Sequence, residues 1–385
     1  MRIISTTRVR GMVRAALTSI VATAVLSVAS GHAAGAQTAC TLDRATGTTI
    51  DPKPFLAGAY LTRWNYATNM LADMAPDAQG YYRVFTIRPD GTGRHDVAAN
   101  LPPVPQKHQG LPSWHPSGRY LMFIAQKKNW SGPKLFGVPD YEGVPGFGLH
   151  DDIWLVTAAG TRAWQLTNDA NTSWQGILMP VFSPDGAHIA WAQRQPDKSY
   201  VIDVADFIER PQPHLGTIRS YTPGGNAYYE PGSFTSDGKS LLYTSDQDTH
   251  SFWLSQIYRL DLTTGTSTRL TEGLTYNEHP IAMTTPSGEW VVYMSTKDNR
   301  RFPLHPTLGT DWWAVRLDGT GAKRLTSMNV PGSPQSSGRP EVAITSALSP
   351  TGTFMFGDVQ TNLAKQTGDV FTVNFTCGAG ADARF

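Results

Sequence analysis

A hairpin unit that appears five times limits what this chain can fold into more than any other feature. It reads Pro112-Ser-Trp-His-Pro-Ser-Gly-Arg-Tyr-Leu, Pro180-Val-Phe-Ser-Pro-Asp-Gly-Ala-His-Ile and Pro231-Gly-Ser-Phe-Thr-Ser-Asp-Gly-Lys-Ser, with looser copies from Pro280 to Tyr293 and from Ser346 to Phe356. The turn glycines Gly118, Gly186, Gly238, Gly288 and Gly352 stand 68, 52, 50 and 64 residues apart, a spacing found in propellers, solenoids and arrays. Each unit is an apolar run, a turn on Ser-Pro-Asp-Gly or a variant, and a second run alternating with period two. Asp-Gly accepts the backbone angles of a tight reversal, so each unit is a β-hairpin. A second hairpin follows, beginning Asp152-Ile-Trp-Leu-Val, Gln256-Ile-Tyr-Arg-Leu or Asp311-Trp-Trp-Ala-Val and running on to Leu-Thr. Four antiparallel strands per unit make a propeller blade.

The second hairpin also occurs early, from Tyr82 to Thr92, behind a strand-like stretch from Phe55 to Trp64, which gives an irregular first blade. The last repeat has strands near Ala347, Phe354 and Val370 but no obvious fourth. The segment after Cys40 is expected to supply it, so that the two ends of the chain close one sheet. The expectation is an all-β, single-domain β-propeller over 37–385. Its six blades fall at about 50–100, 110–170, 178–224, 229–273, 278–328 and 343–377 plus the N-terminal strand, with five or seven as alternatives.

These units resemble the TolB-type propeller repeat, whose mark is an apolar Ser-Pro-Asp-Gly hairpin followed by Asp-Ile-Tyr/Trp-Val, Asp-Gly-Thr and Leu-Thr. The resemblance covers about residues 80–376 and carries over the structural turn Ser183, Pro184, Asp185 and Gly186 with its copies. It implies a propeller fold and, by analogy, a periplasmic docking platform. TolB proteins have an α/β domain ahead of the propeller, for which the stretch between Ala36 and the first blade leaves no room.

Arg2, Arg8, Arg10 and Arg14 precede an apolar run from Ala15 to about Ser30 and the small residues Ala34-Gly35-Ala36. That order marks a secretory signal peptide, and the run is short for a membrane span. Residues 1–36 are therefore expected to be removed, leaving a periplasmic or secreted chain with no membrane span. In an oxidising compartment Cys40 and Cys377, the two cysteines of the chain, are expected to form a disulfide that fastens the ends together. The 32 basic and 31 acidic side chains leave a net charge of +1, which argues against a nucleic-acid partner.

In a propeller the Ser-Pro-Asp-Gly and Gly-Thr turns share one face, and the long irregular loops share the other, where binding residues usually sit. That loop-rich face is expected to carry Glu230, Glu278 and His279 as an acid/base set across adjacent blades. His150, Asp151, Trp174, Tyr229, His250, Arg300, Arg301, His305 and Glu341 are its expected ligand-binding residues. A divalent metal held by histidines and glutamates is a further possibility, although no short ligand motif supports it. The partners implied are an envelope protein, a peptide or a carbohydrate, and the alternative role is a polysaccharide-active lyase or hydrolase.

Overall fold

The computed structural model describes residues 40–378 apart from 171–173, 300–307 and 363–366. The expected signal peptide lies outside the described residues. Six antiparallel blades follow one another around a ring, five of them four-stranded and the sixth carrying the two-residue strand Leu56–Ala57 in addition to its four. Their innermost strands are Tyr60–Asn65, Gln109–Trp114, Gly176–Phe182, Tyr229–Phe234, Asn277–Thr285 and Val342–Leu348, and these pack against one another from blade to blade. Blades one to five each take their strands in chain order. The sixth adds Gly47–Ile50 outside Thr367–Thr376, in register from Gly47 opposite Thr376 to Ile50 opposite Val373. The N-terminal segment thus supplies the fourth strand of the last blade.

The repeat motifs have local physical causes. In the Ser-Pro-Asp-Gly turn the Ser183 hydroxyl donates to Asp185 Oδ1 at 2.6 Å and accepts from the His188 amide at 2.9 Å. Asp185 in turn accepts the Ala187 amide at 2.9 Å, while Gly186 takes a φ of +75° that a side chain would resist. Thr235 and Asp237 repeat the pattern in the fourth blade. The Leu-Thr ending fastens the outer strand to the third. Thr167, Thr271 and Thr326 accept the amides of Ile153, Ile257 and Trp312 at 2.8, 2.9 and 3.1 Å.

Between blades the core is apolar and aromatic, with Trp191, Trp312, Tyr82, Tyr229, Tyr243 and Tyr258 almost wholly buried. Every innermost strand also carries a bulge. Two residues on it oppose one on the second strand, at 61–62, 111–112, 179–180, 231–232, 279–280 and 344–345. A bulge re-aims side chains, and here it turns consecutive residues toward the centre of the ring. Leu61, Leu111, Met179 and His279 reach that geometry with φ of 60°, 54°, 49° and 55°.

Candidate functional site at the centre of the ring

The bulges line a central cavity of about 500 Å³. Leu61, Leu111, Met179 and Ile344 form its apolar wall, and His279 occupies the equivalent place in the fifth blade. One position earlier stand Tyr60, Gly110, Leu178, Glu230, Glu278 and Ala343, so the two glutamates are counterparts in adjacent blades. Tyr200, Tyr228, Phe252, Trp253 and Tyr276 make an aromatic rim, joined edge to face along Tyr200, Tyr228, Phe252 and Trp253. Phe252 and Trp253 come from the connection between the second and third strands of blade four, and Trp253 is 55% exposed.

Ligand-capable atoms of Glu230, Glu278 and His279 all lie within 4.8 Å of one another. His279 Nδ1 is 3.0 Å from Glu230 Oε1, and its Nε2 is 3.4 Å from Glu278 Oε2. The closer pair is not aligned as a hydrogen bond, and both of its atoms are buried without a hydrogen-bond partner. Each carboxylate is held from the rim. The Tyr228 hydroxyl donates to Glu230 Oε2, and the Tyr276 hydroxyl donates to Glu278 Oε2 at 2.5 Å.

These contacts divide the protons unequally. Burial, followed by the charge of Glu230, pushes the Glu278 carboxyl up to about 8. Burial acts the same way on Glu230, but the His279 charge and the Tyr228 hydrogen bond bring that carboxyl below its ordinary value. Burial disfavours the His279 imidazolium, yet the two glutamates beside it raise its pKa overall. Near neutral pH Glu230 is therefore ionised and Glu278 neutral, and the glutamates beside His279 favour its imidazolium.

A pH dependence of stability follows. Unfolded, Glu278 releases its proton near its ordinary 4.5, whereas folded it holds it to about 8. Stability from this group is therefore complete below the unfolded value and is lost as pH rises through 8. His279 acts in the same direction, and Glu230 opposes it only in acid. Tyr200, Tyr228, Tyr276 and Arg63 are the other titratable groups that feel the charges of the set. Melting temperature measured from pH 6.5 to 9 is expected to fall in the native chain and to fall less in Glu278→Gln; parallel curves would refute the assignment.

The structure places the other expected residues elsewhere. Tyr229 alternates with Tyr228 and Glu230 along its strand, so its ring enters the core between blades, with its hydroxyl donating to the Gly225 carbonyl at 2.9 Å. His150 stacks on Trp130 with ring centroids 3.9 Å apart, and burial lowers its pKa to about 4. Asp151 is buried between blades two and three and accepts the Ile177 amide at 2.6 Å. Trp174 lies under Lys198 and Arg194, and His250 is exposed. The backbone of Glu341 is tied to Asn329 and Thr310. Arg300, Arg301 and His305 lie outside the described residues. Cys40 and Cys377 meet as thiols; burial first, and then its neighbour Cys377, pushes Cys40 up to about 12.

Sequence reasoning did not assign Tyr200, Phe252 or Tyr276 to the site. The signal for Tyr276 was present, since Tyr228-Tyr-Glu230 and Tyr276-Asn-Glu278 repeat one pattern at one strand position in consecutive blades. Alternation with period two points both members of each pattern the same way.

No family model matches the chain. A curated relative, an uncharacterized protein of Agrobacterium fabrum, is 30% identical over 216 residues, covering 56% of this chain and 57% of that protein. The chain thus spans little more than half the length of the curated relative it matches. TolB from Acinetobacter baumannii is a similar solved structure, at 16% identity over 83% of this chain and 63% of that one, with a TM-score of 0.46. A structure assigned as TolB from Agrobacterium tumefaciens matches at 17% identity over 80% of this chain and 98% of that one, with a TM-score of 0.45. The six blades built on the repeated turn make this chain a six-bladed β-propeller. No helix among the described residues is long and apolar enough to cross a membrane.

Proposed function

We propose that the chain is an exported binding platform, periplasmic or secreted, that captures a segment of a protein, a peptide or a carbohydrate at the central cavity. The observation that carries the reading is the join of an aromatic rim, exposed at Phe252 and Trp253, to a polar floor, Glu230, Glu278 and His279, in one concave site. Concave, largely apolar sites with a few convergent polar groups are the usual form of a ligand pocket. Aromatic anchors such as Trp253 supply much of the energy in such sites.

The test is a peptide library and a glycan array probed with the native chain, followed by titration of the binders against Trp253→Ala and Phe252→Ala. Each substitution is expected to weaken binding by about 2 kcal/mol, roughly thirtyfold. Binders indifferent to both substitutions would place recognition on another surface. One observation favours a second reading, polysaccharide cleavage. A carboxyl neutral to about pH 8 beside an ionised partner is the pairing that general acid–base chemistry uses. In that case Glu278→Gln would keep saccharide binding and lose cleavage.

We further propose that Cys40 and Cys377 join as a disulfide once the chain is exported. What supports this is their contact at the seam where the N-terminal segment meets Thr367–Thr376.

A further inference from the structure

The structure assigns a second role to the cavity floor: Glu230, Glu278 and His279 form a site for one divalent first-row transition-metal ion, with Zn²⁺ the best match. This does not depend on what the rim captures. Two carboxylates and an imidazole are a donor set suited to such ions, and three protein ligands leave a fourth position open toward the cavity. A tetrahedral ion sets its ligands about 3.3 Å apart. Because the candidate atoms already lie within 4.8 Å of one another, the three side chains need to draw in by about 1.5 Å at most.

Three further observations point to a ligand rather than to a structural ion-pair cluster. The first is an outer layer of support. Tyr228 and Tyr276 each bind one carboxylate through Oε2, the kind of contact that orients metal-bound carboxylates. That leaves Glu230 Oε1 buried and 3.0 Å from His279 Nδ1, a charge contact that is not aligned as a hydrogen bond and leaves both atoms able to turn to an ion.

The second is the comparison among blades. At the same bulge the first, second, third and sixth blades carry Tyr60-Leu61, Gly110-Leu111, Leu178-Met179 and Ala343-Ile344. The ring therefore closes well around residues without charge, and burying three ionisable groups in two adjacent blades is not needed for folding. Buried ion pairs seldom improve on apolar packing. The third is the surroundings. Leu61, Leu111, Met179, Met294 and Ile344 line much of the remaining wall, in which Gln360 is a polar exception, and a largely apolar shell limits competition from water. Calcium takes six to eight oxygen ligands, more than this set supplies.

The test is titration of the full mature chain with Zn²⁺ by calorimetry, with Cys40 and Cys377 oxidised so that thiols do not compete. One equivalent is expected to bind, and Glu230→Gln, Glu278→Gln and His279→Asn are each expected to weaken it at least tenfold. Circular dichroism of each variant shows whether the propeller is intact, and Tyr276→Phe, which leaves all three ligands in place, is expected to weaken binding by a smaller factor. Co²⁺ in place of Zn²⁺ is expected to give a visible absorption band that His279→Asn abolishes. Absence of stoichiometric Zn²⁺ binding, binding unchanged in folded ligand variants, or equal affinity for Ca²⁺ would overturn the assignment. Each result is read from the metal alone, so failure here leaves the capture of peptide or saccharide by the rim to its own test.

Discussion

Gly232→Ala is expected to destabilise the propeller by about 3 kcal/mol and to abolish whatever the central site does. Gly232 sits in the bulge of the fourth blade, one residue past Pro231, directly against Pro280 on the innermost strand of blade five. A Cβ there would overlap the carbonyl oxygen of Pro280, and would lie 2.8 Å from the Pro280 Cγ and 2.9 Å from its carbonyl carbon. The obstacle is mostly backbone, which cannot rotate aside as a side chain can. Relief requires the two strands to part, stretching the bond from the Ala282 amide to the Ser233 hydroxyl, now 2.8 Å. The same movement would separate Glu230 from His279, which stand on those strands. A useful contrast is Gly225→Ala, where nothing lies within 4 Å but φ is +70°. There the cost is conformational alone, about 1 kcal/mol, and the site should be intact. Denaturant melts and Zn²⁺ titrations on both variants measure the two effects; similar stability of Gly232→Ala and the native chain would show that blades four and five are not locked at this point.

The turn glycines and their partners made the blades legible because each hairpin is specified locally. Ser183, Asp185 and Gly186 close their own turn, and Thr167, Thr271 and Thr326 fasten strands about fourteen residues upstream. The fourth strand of the last blade was also readable, since the final repeat lacks an outer strand and the segment after Cys40 is free to supply it. The site was less so. Glu230, Glu278 and His279 stand at the inner ends of repeat units, where their convergence depends on bulges that sequence does not mark. Tyr229 and His150 show the reverse difficulty. Both occupy the loop-rich side by position in the repeat, but alternation sends Tyr229 into the core, and the left-handed backbone of His150 accompanies a buried stack on Trp130. The chemistry of blades four and five becomes apparent when one bulge position is compared across all six blades, which requires knowing where each bulge falls.

Oxidation of Cys40 and Cys377 is expected to stabilise the mature chain by about 4 to 5 kcal/mol, more than any single side chain at the seam. The N-terminal segment is held by several small anchors. Gly47–Ile50 adds one short ladder to Thr367–Thr376. Leu42 is wholly buried in a cluster with Trp290, Trp312 and Phe375, and the Lys323 ammonium donates to the carbonyls of Leu42, Asp43 and Ala45 at 2.5, 3.2 and 3.2 Å. Truncation of Leu42 to Ala is expected to cost about 3 kcal/mol. None of these contacts restrains the unfolded chain, whereas a bond between residues 40 and 377 closes nearly all of it into one loop. Cys40 sits in apolar surroundings with its thiol pushed up to about 12, so it forms little of the reactive thiolate. Closure is therefore expected to be slow in air and faster with a small-molecule disulfide as the oxidant, which takes up the two electrons and two protons the thiols give up. Melting curves of the native chain and Cys377→Ser, each with and without reductant, separate the contributions. Reductant should lower the native midpoint to that of the variant and leave the variant unmoved. If the native midpoint ignores reductant, closure rests on the strand, Leu42 and Lys323 alone.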